Sequence, residues 1–231
     1  MKRFYQEVDV RPDGDGWQVT LDGRAVRTQG GRAQIAPTRA LAKALAAEWA
    51  TQGETIDPVG FVNRDLADFA IDVVHADRAA LIATLLGFAE TDTLCYRAEP
   101  DEPLFAAQQT LWEPVLSAAE ARWDVRFERI SGIIHRPQPP ATQARLRAVL
   151  ASHDAFALSA LNTLASLAAS LVIALAALEP DADTAALWQA ANLEEDWQAD
   201  LWGRDWEAED RRARRLAAFS AALDFARLAR G

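Results

Sequence analysis

Glu194, Glu195, Asp196 and Asp200 put four carboxylates within seven residues. Paired carboxylates do acid–base work when a cleft raises the pKa of one member, so Glu194 or Glu195 with Asp200 could serve a carboxylate-dependent hydrolase. The same stretch carries Trp188, Trp197 and Trp202. Acids interleaved with tryptophans are also the chemistry of protein docking, in which an indole is covered on contact and a carboxylate meets a partner's arginine or lysine. A concave pocket around the carboxylates favours the enzyme, and an open or grooved aromatic face favours the docking surface.

Other signatures of catalysis are missing from the sequence. It has no GxxxxGK[ST], no GxGxxG after a strand, no HExxH, no CxxC and no GxSxG. Asp13-Gly14-Asp15-Gly16 resembles the start of a calcium loop, but Arg24 stands where the bidentate glutamate belongs, so the segment reads as a turn. His75, His135 and His153 have no His or Cys at ligand spacing. No catalytic residue, metal site or cofactor is expected. The single cysteine, Cys95, precludes an internal disulfide and reads as a buried structural thiol. The N-terminus meets charge too early for a secretory leader, which points to a reducing cytoplasm.

Charge singles out the same region. From Glu179 to Asp210 there are eleven acidic residues and one basic residue, Arg204, so this segment accounts for the whole formal charge of −10. A sequence pI near 4.8 argues against nucleic acid as a partner, because phosphate binding needs clustered cations. Beyond it lie Arg211, Arg212, Arg214 and Arg215, which could pair with the acidic helix across a turn at Gly203. On one helix over residues 184–202, Leu187, Ala190, Leu193, Trp197 and Leu201 gather on one side, with Trp188, Glu195 and Trp202 on the other. Glu194 then falls near the apolar side and needs an arginine or backbone donors. Glu195, between two tryptophans, is the better candidate for a partner's cation.

The elements that must position these residues are of two kinds. Tyr5–Val10, Trp17–Leu21 and Arg24–Thr28 alternate in polarity, the last two joined by the hairpin signal Asp22-Gly23, with a short strand near Ala33–Ile35. Pro37-Thr38 opens a helix to about Gln52, on which Trp49 is expected to pack against the sheet. Helices follow over about 61–75, 77–88, 103–123, 141–153, 155–178, 184–202 and 205–228, with one later strand at Val125–Ile130. The fold class is therefore α+β: a small N-terminal antiparallel sheet domain with helices, about 1–90, and an all-α helical domain, about 91–231. Residues 155–178 carry no formal charge and are long enough to span a bilayer, but interrupting Ser, Asn and Thr and acidic flanks favour a helix buried all round.

In their order along nearly the whole chain, the motifs resemble those of one family. They run Lys2-Arg3-Phe4-Tyr5, Leu21-Asp22-Gly23-Arg24, Glu48-Trp49, Gln52-Gly53-Glu54, Ile56-Asp57-Pro58, Asp92-Thr93-Leu94-Cys95-Tyr96-Arg97, Pro137-Gln138-Pro139, Leu193-Glu194-Glu195-Asp196-Trp197-Gln198 and Trp202-Gly203. The chain resembles the assembly chaperones that bind the α subunit of the soluble catalytic head of F-type ATP synthase. It departs from their pattern at Asp68-Phe69, where an Asn-Thr pair is common, and at Gln29-Gly30-Gly31, where a proline is common. The resemblance implies a non-enzymatic protein that holds the unassembled α subunit until the catalytic head forms. It implies a bacterial cytoplasmic location, with relatives in the mitochondrial matrix, and a monomer when free. Partner contacts are expected at Glu194, Glu195, Asp196 and Trp197, with Trp188 and Trp202 beside them.

Overall fold

The computed structural model describes residues 1–132, 134–203 and 205–231. As the sequence predicts, a small N-terminal antiparallel sheet with helices is followed by a largely helical region. Packing groups the chain into two compact units. One comprises Met1–Arg78, Asp154–Ala160 and Ala221–Gly231, and the other Ala79–His153 and Leu161–Ser220.

In the first unit β1 (Val8–Asp13), β2 (Gly16–Leu21), β3 (Arg24–Ala25) and β4 (Ile35–Ala36) form one sheet. The central β2 pairs antiparallel with β1, from Val8↔Leu21 to Asp13↔Gly16, and with both short strands. Pro12 and Asp13 belong to β1, so the turn shrinks to Gly14-Asp15; a proline is tolerated there because β1 is an edge strand. The expected hairpin is present, with φ of 48° at Asp22 and 76° at Gly23, both positive as its turn type requires. Asp22 is held by accepting the backbone N–H groups of Gln6 and Glu7 at 3.0 and 2.8 Å.

Helix α1 (Arg39–Ala50) starts at Thr38, whose Oγ1 accepts the Leu41 N–H at 3.1 Å. It buries Leu41, Ala42, Leu45 and Trp49 on β1 and β2. The Trp49 ring lies between Tyr5, edge-on at 5.6 Å, and Phe61 at 4.5 Å, and the Tyr5 hydroxyl donates to the Trp49 carbonyl at 2.6 Å. Glu48 caps α2 (Val62–Phe69) by accepting from the Asn63 and Arg64 N–H groups. A π-helical turn, Ala70–Val74, extends α2.

The second unit contains α3 (Arg78–Glu90) from Ala79 onward, α4 (Pro103–Trp123), α5 (Pro140–Ser152) and a two-stranded parallel pair, β5 (Tyr96–Arg97) with β6 (Ile130–Ser131). The strand expected over Val125–Ile130 survives only at its end. Val125 and Phe127 are buried and alternate as a strand should, but the intervening N–H groups bond to side chains. Arg126 N–H donates to Thr142 Oγ1, Phe127 N–H to Glu120 and Glu128 N–H to Gln138. An extended segment satisfied by side chains has no need of a partner strand.

The run 155–178 is two helices rather than one. Helix α6 (Ala155–Ala168) ends at Ala169, whose φ is 47°, and α7 (Leu171–Ala177) restarts at Ser170, whose hydroxyl accepts the Ile173 N–H at 3.0 Å. Most of the run is buried, and among the described residues no helix is long and apolar enough to cross a membrane. The helix expected over 184–202 is likewise divided, into α8 (Thr184–Ala191) and α9 (Leu193–Trp202), and α10 (Trp206–Arg230) follows.

Candidate functional site

Asp183 opens α8 by accepting the Ala186 N–H at 3.0 Å, which directs Leu187, Trp188 and Ala190 into the core. Trp188 meets Phe219 at 5.1 Å between ring centres, and the Arg215 guanidinium lies 5.7 Å from its ring centre. The Ala190 carbonyl accepts the indole N–H of the fully buried Trp112 at 2.8 Å. The interruption between α8 and α9 falls at Asn192, whose side-chain amide donates to the Trp188 carbonyl at 2.8 Å. This step breaks the uniform phase assumed for one helix. Trp188 is therefore core, and shares no open face with Trp202.

Glu194, Glu195 and Asp196 occupy the first turn of α9, where carboxylates complement the positive end of the helix dipole. Each takes a different partner. Glu194 accepts from Gln108 Nε2 at 2.8 Å, a side-chain amide in place of the arginine or backbone donors expected, and Gln108, fully buried, also accepts the Ala98 N–H at 2.8 Å. Glu194 is solvent-exposed, like Glu195 and contrary to its expected place near the apolar side; local desolvation raises its pKa, and the Gln108 bond opposes it. Glu195 accepts from Arg215 Nη1 at 3.0 and 3.2 Å, and Arg215 also donates to the Leu167 carbonyl. Asp196 accepts from Arg212 Nη2 at 2.7 Å. The basic cluster of α10 thus pairs with the acidic turn of α9. Glu194 and Glu195 point to different partners instead of converging on one cleft.

The large apolar side chains that α9 leaves uncovered lie at its C-terminal end. Leu201 is 65 % exposed, Trp202 84 % and Trp206, on the first turn of α10, 75 %. Leu201 was expected on the buried side. Trp197 is half-buried. Gly203, with φ of 95°, ends α9 with its N–H on the Ala199 carbonyl at 2.9 Å, and Asp205 starts α10 by accepting the Glu207 N–H. Three large apolar side chains are therefore exposed in a segment that also carries Asp200, Asp205 and Glu207. The sequence reading missed Leu201 and Trp206 as site residues. A glycine between two tryptophans in a charged segment was the available signal.

Comparison with known proteins fits a binding surface of this kind, because the matches are to chaperones. Residues 2–120 match the ATP12 chaperone protein family. The crystal structure of Atp12 from Paracoccus denitrificans is similar over 99 % of this chain and 98 % of its own, at 37 % identity and a TM-score of 0.92. An aspartate-to-lysine variant of the same protein matches at the same identity and TM-score. A candidate chaperone from Agrobacterium tumefaciens matches 98 % of this chain and 85 % of its own, at 38 % identity and a TM-score of 0.92. The chain belongs to the ATP12 chaperone family.

Proposed function

We propose that the chain is an assembly chaperone of F-type ATP synthase that binds the unassembled α subunit in the cytoplasm, acting as a monomer and without turnover. The family and the ordered motifs from Lys2-Arg3-Phe4-Tyr5 to Trp202-Gly203 support this reading. The observation that carries it is the exposure of Leu201, Trp202 and Trp206 in an acidic segment. An unassembled subunit exposes apolar surfaces that favour aggregation. Rigid indoles cover such a surface with little loss of side-chain freedom, and acids around them select a basic rim.

Co-expression with the α subunit tests the proposal. Soluble α should rise, and affinity purification of the tagged chaperone should recover α. Recovery of no ATP synthase component would sink the assignment.

A further inference from the structure

In the second unit α4, α7 and α8 enclose an open groove of about 600 Å³. On α4 its wall is a stripe at helical spacing, Leu111, Val115, Ala118 and Arg122, ending beside Trp123, and on α8 it is Ala186 and Leu187. The stripe from Leu111 to Trp123 spans roughly 18 Å at helical rise, about three turns. Alanine at 118 and 186 keeps the walls low enough for another helix to approach closely.

Two observations define what would lie there. Pro114 lines the groove and has no N–H, so the carbonyl of Thr110, also on the groove, lacks its i+4 donor within the helix. The charged groups lining the groove are Arg122, Glu179 and Asp183, and Arg122 is already paired with Glu179. Asp183 and the neighbouring Asp181 begin the acidic segment. The electrostatic bias of the groove is thus negative. A second copy of a chain with net charge −10 would be repelled from it, and a basic partner attracted.

We propose that this groove takes an amphipathic helix of about three turns from the partner, its apolar face on the α4 stripe and lysine or arginine along its edges. The source of the helix, the client subunit, rests on the function proposed above; the chemistry of the groove does not.

The test uses a fluorescein-labelled Leu/Lys amphipathic peptide of about 18 residues, long enough to form helix, and a Leu/Glu peptide with the same apolar face. Anisotropy should report binding of the Leu/Lys peptide only. Ala118→Trp and Ala186→Trp fill the groove from exposed positions without changing charge, and each should weaken binding by about tenfold or more at unchanged Tm. Equal binding by wild type and both variants would mean that the peptide merely senses surface charge, which overturns the proposal. A concentration-dependent dimer dispersed by Ala118→Trp would identify the occupant as a second copy and also overturn it. With the client itself, undiminished co-purification of α by both variants places α elsewhere and overturns the proposal. If even wild type fails to recover α, the client assignment falls, while the peptide measurement still decides the groove.

Discussion

Asp92 accepts the backbone N–H of Val172 at 3.0 Å from a side chain with no solvent exposure, although 80 residues separate the two. Its other oxygen accepts the Leu94 N–H at 3.1 Å, while the Thr93 N–H and hydroxyl both donate to the Ala169 carbonyl. The break between α6 and α7 is therefore satisfied on both sides by one short segment, which ties the two helix ends together.

The Asp92 carboxylate is pushed up to about 6 by burial, against the opposing effect of its hydrogen bonds. Between about pH 4 and 6 the folded chain then holds this proton more tightly than the unfolded chain does. The contribution is full below pH 4 and is lost as pH rises through about 6, an effect of about 3 kcal/mol. Relative to Asp92→Asn, the denaturation midpoint of wild type should fall as pH rises from 4.5 to about 6 and then level off to pH 7.5. A constant difference would show that Asp92 does not titrate there.

Trp49 fills the space between Tyr5 and Phe61. Trp49→Ala should lower the stability of the first unit by about 3–5 kcal/mol, the usual cost of removing a large buried aromatic. Thermal unfolding followed by near-UV circular dichroism measures it, and an unchanged midpoint would place the indole outside the core.

Glu194 and Glu195 should respond differently to the same substitution. Glu194→Lys sets an ammonium against the buried Gln108 amide and leaves that donor without an acceptor, a loss of about 1–3 kcal/mol. Glu195→Lys replaces a largely exposed pair with Arg215 and should cost roughly 1 kcal/mol or less. Trp202→Ala should leave stability unchanged and weaken α-subunit binding about tenfold or more. Urea midpoints and pull-downs of all three separate folding from recognition. A stable Glu194→Lys beside an unfolded Glu195→Lys would reverse the assigned roles, and full binding by Trp202→Ala would remove the exposed Trp202 from the interface.

The departures from the family pattern meet in the fold. Gln29 N–H donates to Asp68 at 3.0 Å, and Gly30 N–H to Asp72 at 2.8 Å. A proline at either position would supply no such donor, and any Cβ at Gly30 would sit 2.7 Å from the Asp72 carboxylate. A loop without the proline is thus tied down by acids from the helix facing it. Sequence showed both departures but not their contact.

Local chemistry was enough for several features. Asp22-Gly23 dictates its hairpin because both residues accept positive φ, α4 begins and ends where its proline and its last aromatic place it, and Cys95 is buried, as expected of a thiol that no sequence feature activates. Sequence also located the acidic, tryptophan-rich segment, since charge and residue type need no coordinates. Tertiary structure decided which of those side chains remain exposed. An uncharged run such as 155–178 has no charged face to reveal a break, and this one is capped both by its own Ser170 and by Asp92, far away in sequence. The step at Asn192 rotates Trp188 into the core and leaves Leu201 and Trp202 uncovered, while Arg212 and Arg215 reach Asp196 and Glu195 because α10 returns alongside α9. Periodicity fixes a residue's angle within its own helix; whether that angle faces protein or solvent depends on what the rest of the chain packs against it.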